Sequence, residues 1–485
     1  MIYSSGIANA AEKGLEANTQ IRILIDPGHS ERRAGAKGKA GEEHILTLEA
    51  AKRLEGKFQQ DTEFKVELTR VNGNYRPEIT QINAALSIDE LAMLDSMNKQ
   101  LRIKEAAPNC TNKKVISLHN QKELYAIAKY ASSKSIDALV SLHYDSHTTD
   151  KGYWVFINPE NSKFGESMQI ARNISHMLSL EYSPSLAVKN GCGIRNNAKL
   201  TARGISLRNL ALLRSYPGIE TPSVLIELGS IDDTENKKEA RQDKLASLIY
   251  EGIRRSFDKH ISSKSLDRGY KVANKISLTF DGDWLNTASE EILSTLKKKG
   301  VKATFFLTGG FMRRYPKTVL GILDGGHEVG NHTDSHPRLT TYSKNLRHDT
   351  LDDVSELYLI EQLEKTEKEF YRISGKYISN IWRAPYGEHN KQLREWAKNA
   401  GYHHVGWTVD SLDWVDDKGL KTYHTSTSKI LDTLKCGSES VNNGAIILMH
   451  LGSTRKEDQF HKRLPGLIDS LKECNYNLVR VSELK

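Results

Sequence analysis

No stretch of this chain approaches the roughly 18 consecutive apolar residues that a membrane helix requires, so no integral membrane segment is expected. Cysteine is scarce: Cys110, Cys192, Cys436 and Cys474 stand far apart, with no C-x-x-C pair. That spacing indicates neither a thiolate zinc site nor a disulfide framework, and the four are read as buried or incidental. Basic residues nowhere gather into a block. The net charge of +8 is spread along the chain, which suits a mild preference for an anionic surface and gives a nucleic-acid partner no support. The first residues, Met1 to Asn18, lack the charged stretch and apolar core of a secretory signal, although Ala8-Asn9-Ala10 has the small-residue pattern that precedes a cleavage site.

What is present describes ordinary globular protein. Hydrophobic residues make up 38% and charged residues 27% of 485 residues, a length beyond the point at which a single core stops growing, so two domains are expected. Short apolar runs alternate with amphipathic stretches, the pattern of a mainly parallel sheet covered by helices. In the first half strands are predicted at Ile21 to Ile25, Lys65 to Thr69, Ala138 to Leu142, Tyr153 to Ile157 and Ser223 to Glu227, with helices such as Glu43 to Phe58 and Gln121 to Ser132. In the second half they are predicted at Ile276 to Phe280, Ala303 to Leu307, Val405 to Thr408 and Ala445 to Met449, with helices such as Ala288 to Lys299 and Lys391 to Ala400.

The segment from about His260 to Asn274 is polar and without apolar periodicity, which places a boundary there. The expected organisation is a tail over residues 1–19, a first domain over 20–260, a linker over 261–274 and a second domain over 275–485. Residues 73–120 form a connection far longer than the usual two to six residues, with a helix expected at Ser87 to Lys99. It reads either as a packed elaboration or as a lid near the first site.

Candidate chemistry lies at strand ends, where open α/β sheets place their ligands. Asp26-Pro27-Gly28-His29 follows one apolar strand, and Ser141-Leu142-His143 and Val224-Leu225-Ile226-Glu227 end two others. Gly41-Glu42-Glu43-His44 opens a helix with apolar Leu46, Ala50 and Leu54. Two histidines and a carboxylate are a recurrent ligand set for a catalytic zinc with one position left open, and a further carboxylate is then needed as base. These four motifs, in this order, resemble the zinc-dependent N-acetylmuramoyl-L-alanine amidases over roughly Arg22 to Phe257. The resemblance implies His29, Glu43 and His143 as metal ligands and Glu227 as the catalytic carboxylate. Glu42 rivals Glu43, and Ser117-Leu118-His119 imitates the third motif but precedes the helix that should come before the true strand. The family's usual Gly-Phe after the catalytic glutamate is here Gly229-Ser230.

In the second half Asp281-Gly282-Asp283-Trp284 places two carboxylates past an apolar strand, and His332-Thr333-Asp334-Ser335-His336 spaces two histidines so that one helix face would carry both. Arg383-Ala384-Pro385-Tyr386-Gly387, Asp410-Ser411-Leu412-Asp413-Trp414 and Leu448-Met449-His450 follow. This set resembles the polysaccharide deacetylases, a family that includes chitin and peptidoglycan deacetylases. The resemblance implies Asp283, His332 and His336 as metal ligands, Asp281 as general base and His450 as general acid. Arg383 would orient Asp281, Asp413 would orient His450, and Tyr386, Trp414 and Leu448 would contact substrate. The family's adjacent aspartates are here separated by Gly282.

The two resemblances together imply an α/β protein: a twisted α/β sandwich of amidase type followed by a distorted (β/α) barrel of polysaccharide deacetylase type. They imply one Zn2+ per domain, with another divalent ion open to the second, and peptidoglycan as partner. The expected location is the cell envelope, periplasmic or secreted, with the export signal removed. The rival readings are deacetylation of another N-acetylated glycan, or a half that only binds the wall through a degenerate site. Oligomeric state is not legible.

Overall fold

The structure, a computed structural model, describes residues 20–104, 117–146, 152–185, 203–208, 210–270, 274–422, 426–434 and 443–484. The chain divides into two compact units, Met1–Phe257 and Asp258–Lys485. The polar tail and Cys110, Cys192 and Cys436 lie outside the described residues.

In the first unit the chain runs β1 (Ile21–Pro27), α1 (Glu43–Phe58), β2 (Phe64–Leu68), α2 (Pro77–Ala84), α3 (Ile88–Lys104), α4 (Leu118–Ser133), β3 (Ala138–Asp145), β4 (Trp154–Ile157), α5 (Phe164–Leu178), β5 (Ile205–Leu207), β6 (Ser223–Ser230) and α6 (Glu239–Phe257). The strands form one sheet in the order β2-β1-β3-β6-β4-β5. β2, β1, β3 and β6 are parallel neighbours, whereas β4 runs antiparallel to β6. The central strands are buried on both faces, with Leu24, Ile25, Val140 and Ile226 at 0–1% exposure, as continuous apolar runs in a covered parallel sheet require. α1 begins where the apolar spacing starts and buries Leu46, Ala50, Ala51 and Leu54. The three-residue β5 carries too short an apolar signal to be foreseen.

The described part of the long connection is a helical layer on the outside of the sheet. α3 packs on α4 through Leu94, Tyr125 and Ala128, and Glu90 accepts from Tyr125 Oη at 2.9 Å and from Lys129 Nζ at 2.6 Å.

The second unit runs β7 (Lys275–Gly282), α7 (Ser289–Lys299), β8 (Thr304–Leu307), α8 (Pro316–Asp324), β9 (Glu328–Asn331), α9 (Glu356–Ser374), β10 (Ile381–Trp382), α10 (Lys391–Asn399), β11 (His403–His404), β12 (Val409–Asp410), β13 (Ile446–His450), α11 (Leu464–Glu473) and β14 (Asn477–Leu478). Its sheet order is β11-β10-β9-β8-β7-β13-β12, all parallel, with β14 added to β7. Laid flat, the first and last strands of that path would stand about 29 Å apart at about 4.8 Å per gap. Yet only residues 405–408 separate β11 from β12 in the chain, and that connection reaches about 18 Å at full extension. The sheet therefore curls until its edges approach, which is the distorted barrel.

Residues 405–408 were expected to be a strand and are instead this crossing. Val405 makes only an isolated bridge to Leu266, and the Val405 and Gly406 carbonyls are taken by the buried Arg383 guanidinium at 3.2 and 2.8 Å. The segment expected as a linker is bound to the second unit. Leu266 N–H donates to the His404 carbonyl at 2.9 Å, and Arg394 Nε donates to the Ser263 carbonyl at 2.8 Å.

Cys474 is disulfide-bonded, which corrects its reading as buried or incidental. Sequence spacing gave no sign of it, because Cys474 belongs to no C-x-x-C pair. Among the described residues no helix is long and apolar enough to cross a membrane.

Candidate active sites

The first site lies at the carboxyl ends of β1, β3 and β6. The register sets Pro27 opposite Leu142 and Glu227 opposite His143, so three strands deliver their terminal residues to one place. Gly28 N–H donates to the Leu142 carbonyl at 2.9 Å, and His29 turns out of the strand at φ 67°. The turn is held from beneath. Arg70, fully buried, donates through Nε to the Pro27 carbonyl at 2.9 Å and through Nη2 to the His44 carbonyl at 3.0 Å. Asp26 accepts from Thr69 Oγ1 and Ser141 Oγ, both at 2.7 Å, so it braces the strands rather than facing the site.

His29, Glu43 and His143 each offer a ligand atom within 4.8 Å of the others, the one such cluster among the described residues. Glu43 Oε2 lies 3.2 Å from His29 Nε2, and its Oε1 lies 3.1 Å from His143 Nδ1. Those separations are close to the edge of a tetrahedron around zinc, about 3.3 Å for bonds of about 2.0–2.1 Å, so the donor set fits the ion. Burial works against a charge on Glu43, but hydrogen bonds from His143 and His29 outweigh it and hold the carboxyl well below its usual range. Burial likewise opposes charge on His143, while Glu43 and the nearby charge of Glu227 raise it. Glu42 instead pairs with Lys37 at 3.0 Å. His119 lies on α4, 72% exposed and paired with Glu123 at 3.5 Å, apart from the cluster.

Gly28 has no room for a side chain, since a Cβ there would stand 2.3–2.7 Å from three atoms of the His143 ring. Gly28→Ala is therefore expected to displace that imidazole and weaken divalent-metal binding at this cluster about 10–100-fold, the usual effect of disturbing a ligand's support. Competition with a metal-binding dye measures it; unchanged affinity would mean His143 is not a ligand.

The second site occupies the carboxyl end of the curled sheet, in a cavity of about 560 Å³. Asp281, at the end of β7, is buried and accepts from Arg383 Nη1 at 2.7 Å. Burial alone would raise its pKa, but the Arg383 charge outweighs that and leaves it below the usual carboxylate range. On the neighbouring strand β13, His450 Nδ1 lies 2.7 Å from Asp413 Oδ1, and its backbone N–H donates to Asp413 Oδ2 at 2.8 Å. Here burial is overcome by Asp413, with Asp281 and Asp410 assisting, and His450 is raised to about 9. The cavity thus presents an ionised carboxylate and a protonated imidazole.

The two histidines do not share a helix. His332 follows β9 directly, and the chain then turns through left-handed Thr333 (φ 66°) and His336 (φ 54°), which brings the rings to 4.8 Å. A loop achieves what the i, i+4 spacing suggested for a helix. His332 Nδ1 donates to the Arg383 carbonyl at 2.9 Å, which leaves Nε2 as the free lone pair. Burial lowers both imidazoles, and at His336 the neighbouring His332 adds to it, so both are neutral as metal ligands must be. His336 Nδ1 is buried with no hydrogen-bond partner.

Asp283 lines the cavity, but its oxygens do not join a three-ligand cluster with the histidines, and its Oδ1 accepts from Trp284 N–H at 2.7 Å. Position 282 could not supply the carboxylate instead. A Cβ there would meet Leu307 at 2.7 Å and Leu451 at 3.0 Å, an apolar wall. Tyr386, Trp414 and Leu448 all line the cavity. Arg70 and Arg338 were not foreseen, because a single arginine after a strand or in a loop carries no periodic or motif signal.

Comparison with known proteins follows the same division. The model of the N-acetylmuramoyl-L-alanine amidase family matches residues 23–256, and that of the polysaccharide deacetylase family matches residues 269–405, ending before Asp413 and His450. Peptidoglycan-N-acetylmuramic acid deacetylase PdaA of Bacillus subtilis is 31% identical over 211 residues, 43% of this chain and 70% of that protein. Peptidoglycan-N-acetylglucosamine deacetylase PgdA of Listeria monocytogenes is 32% identical over 218 residues, 44% of this chain but only 39% of that protein. The solved structure of Bacillus subtilis PdaA, a family 4 carbohydrate esterase, is 28% identical with a TM-score of 0.39, covering 46% of this chain and 85% of that one.

Proposed function

Since this chain belongs to the polysaccharide deacetylase family through its second half, and its first half matches the N-acetylmuramoyl-L-alanine amidases, we propose that it is a bifunctional peptidoglycan hydrolase. The first unit cleaves the amide between N-acetylmuramic acid and the L-alanine of the stem peptide. The second removes the acetyl group from a peptidoglycan amino sugar. The observation that carries this reading is the pairing, in one chain, of the His29–Glu43–His143 cluster beside Glu227 with the Asp281–Arg383 and His450–Asp413 pairs facing one cavity.

Zinc would be held by His29, Glu43 and His143 in one unit and by Asp283, His332 and His336 in the other, where it supplies Lewis-acid polarisation of the scissile carbonyl. The side chains move the protons. Glu227 takes one from the attacking water and delivers it to the departing alanine nitrogen. In the second unit Asp281 takes the water proton, kept ionised by Arg383, and the His450 imidazolium protonates the leaving amine as acetate departs. Cys474, being disulfide-bonded, fits an oxidising compartment and hence a site of action in the envelope or outside the cell.

The amino sugar is proposed to be muramic acid itself, supported by the relative that acts on N-acetylmuramic acid. Amide cleavage frees a lactyl carboxylate, and deacetylation exposes an amine on the adjacent ring carbon; the two can then close a six-membered lactam with loss of water. Tethering both activities raises the effective concentration of one site near the other's product, provided the connection lets both reach one strand. The Listeria relative supports N-acetylglucosamine as the rival substrate. Mass spectrometry of purified peptidoglycan digested with and without a chelator tests the whole reading. Free stem peptides and deacetylated sugars are expected only without chelator, and an intact polymer under zinc-replete conditions would overturn it.

The pH profile has a definite sign. His450 must be protonated, so acetate release is expected to fall as pH rises through about 9. Asp413→Asn removes the charge that holds the proton and should move that alkaline limb down by a pH unit or more. The same raised value makes the His450–Asp413 pair stabilising below about pH 6.5, with the contribution fading as pH approaches 9.

A further inference from the structure

We propose that Arg338 is the specificity residue of the second site, donating to the free lactyl carboxylate of peptide-stripped muramic acid at the rim of the cavity. The inference rests on the deacetylase reading and deepens it by naming the substrate's distinguishing group. Arg338 is the one lysine or arginine among the described residues that line this cavity, whose other charged walls include Asp281, Asp283 and Asp410. Apart from the His450 imidazolium, which is paired to Asp413, an anionic substrate group therefore has this one cationic side chain to meet there.

The guanidinium is positioned before any substrate arrives. It lies over the Tyr386 ring at 4.1 Å, and Tyr386 in turn packs against His336 with ring centroids 4.5 Å apart. Tyr386 itself adopts a left-handed φ of 59°, a conformation uncommon outside glycine, which sets the ring between the histidine and the arginine. Arg338 is thus one aromatic ring away from the histidine pair. From behind, Nη1 is ion-paired to Glu388, a carboxylate 1% exposed that also accepts from Thr340 Oγ1 at 3.1 Å.

That ion pair has a structural role, because so buried a carboxylate needs a cation. It does not use up the side chain. A guanidinium carries five N–H donors in a rigid fork, Glu388 engages one end, and the side chain remains 44% exposed. The unused donors suit a second, bidentate carboxylate. In muramic acid the lactyl ether stands on the ring carbon next to the one that bears the acetamide. With the acetamide at Asp281 and His450, the carboxylate falls at the rim of the same cavity. N-acetylglucosamine has a hydroxyl at that position and no charge to offer. An intact stem peptide converts the carboxylate into a neutral amide, so the same residue would also impose amidase action first.

The test compares acetate release by the full-length zinc-loaded protein from three substrates: glycan strands already stripped of stem peptides, the same strands with the lactyl carboxyl reduced to the alcohol, and N-acetylglucosamine oligomers. Wild type is expected to favour the carboxylate strand at least tenfold in kcat/KM, through KM. Arg338→Met should bring that ratio close to one and Arg338→Lys should restore part of it. A merely structural role would lower both substrates alike and leave the ratio unchanged, and that result overturns the inference. Wild type acting equally on both strands, or only on N-acetylglucosamine oligomers, also overturns it while the deacetylase reading stands. No acetate from any of the three substrates would instead remove the reading beneath it.

Discussion

Replacing Glu227 with alanine is expected to lower stem-peptide release about 10³-fold or more, while zinc in the first unit and acetate release by the second stay at wild-type levels. The size follows from the proposed role: a positioned base contributes about 10²–10⁴-fold, and under that proposal it also returns the proton to the leaving amine. Glu227 sits on β6 directly opposite His143 in register, close enough for its charge to raise that imidazole, yet it is not one of the three converging ligands. Its loss should therefore spare the metal. Quantifying free stem peptides by mass spectrometry, with zinc measured on the same sample, separates the roles. Zinc lost together with activity would recast Glu227 as a ligand, and retained activity would place the base elsewhere.

Asp281→Asn should do the converse, reducing acetate release about 10³-fold with stem-peptide release intact. The amide keeps the shape and can still accept from Arg383 Nη1, but it takes no proton. Stability should fall as well. Arg383 is fully buried, and Asp281 is the carboxylate its guanidinium contacts at 2.7 Å. Leaving such a cation without its counter-charge costs about 3–5 kcal/mol, so a lower melting temperature should accompany the kinetic loss. Removing that term by comparing rates well below the new melting point isolates the chemistry. The two mutants together decide the lactam: muramidase-released fragments should contain it only after wild-type digestion. Deacetylated glucosamine persisting in the Glu227→Ala digest, with no lactam in any sample, would sink the coupling.

Much of the architecture was readable because the relevant signals are local. Short apolar runs and period-3.6 apolar patterns placed β1, α1, β3 and β6 at their observed starts. Motifs such as Asp26-Pro27-Gly28-His29 and Arg383-Ala384-Pro385-Tyr386-Gly387 marked the site residues for a similar reason: their chemistry is written in adjacent positions. The misreadings share the opposite property. Residues 405–408 look like a strand because Val405 and Trp407 are apolar, yet sheet closure and the demand of Arg383 for carbonyl acceptors make them a crossing. The i, i+4 spacing of His332 and His336 mimics a helix face, but two left-handed residues bend a loop to the same end.

The sequence by itself determined the two-part α/β organisation and the titratable residues gathered at the strand ends. Only the tertiary structure shows Glu43 within reach of both His29 and His143 while Glu42 pairs with Lys37, because that depends on how α1 docks against β1 and β3. It alone revealed that Arg70 holds the His29 turn, that Arg383 joins Asp281 to the closing edges of the sheet, and that Arg338 faces the cavity across Tyr386. Local patterning follows from neighbours along the chain. Ligation, ion pairing and burial are set by side chains that meet only after sheet register and helix packing have brought distant segments together.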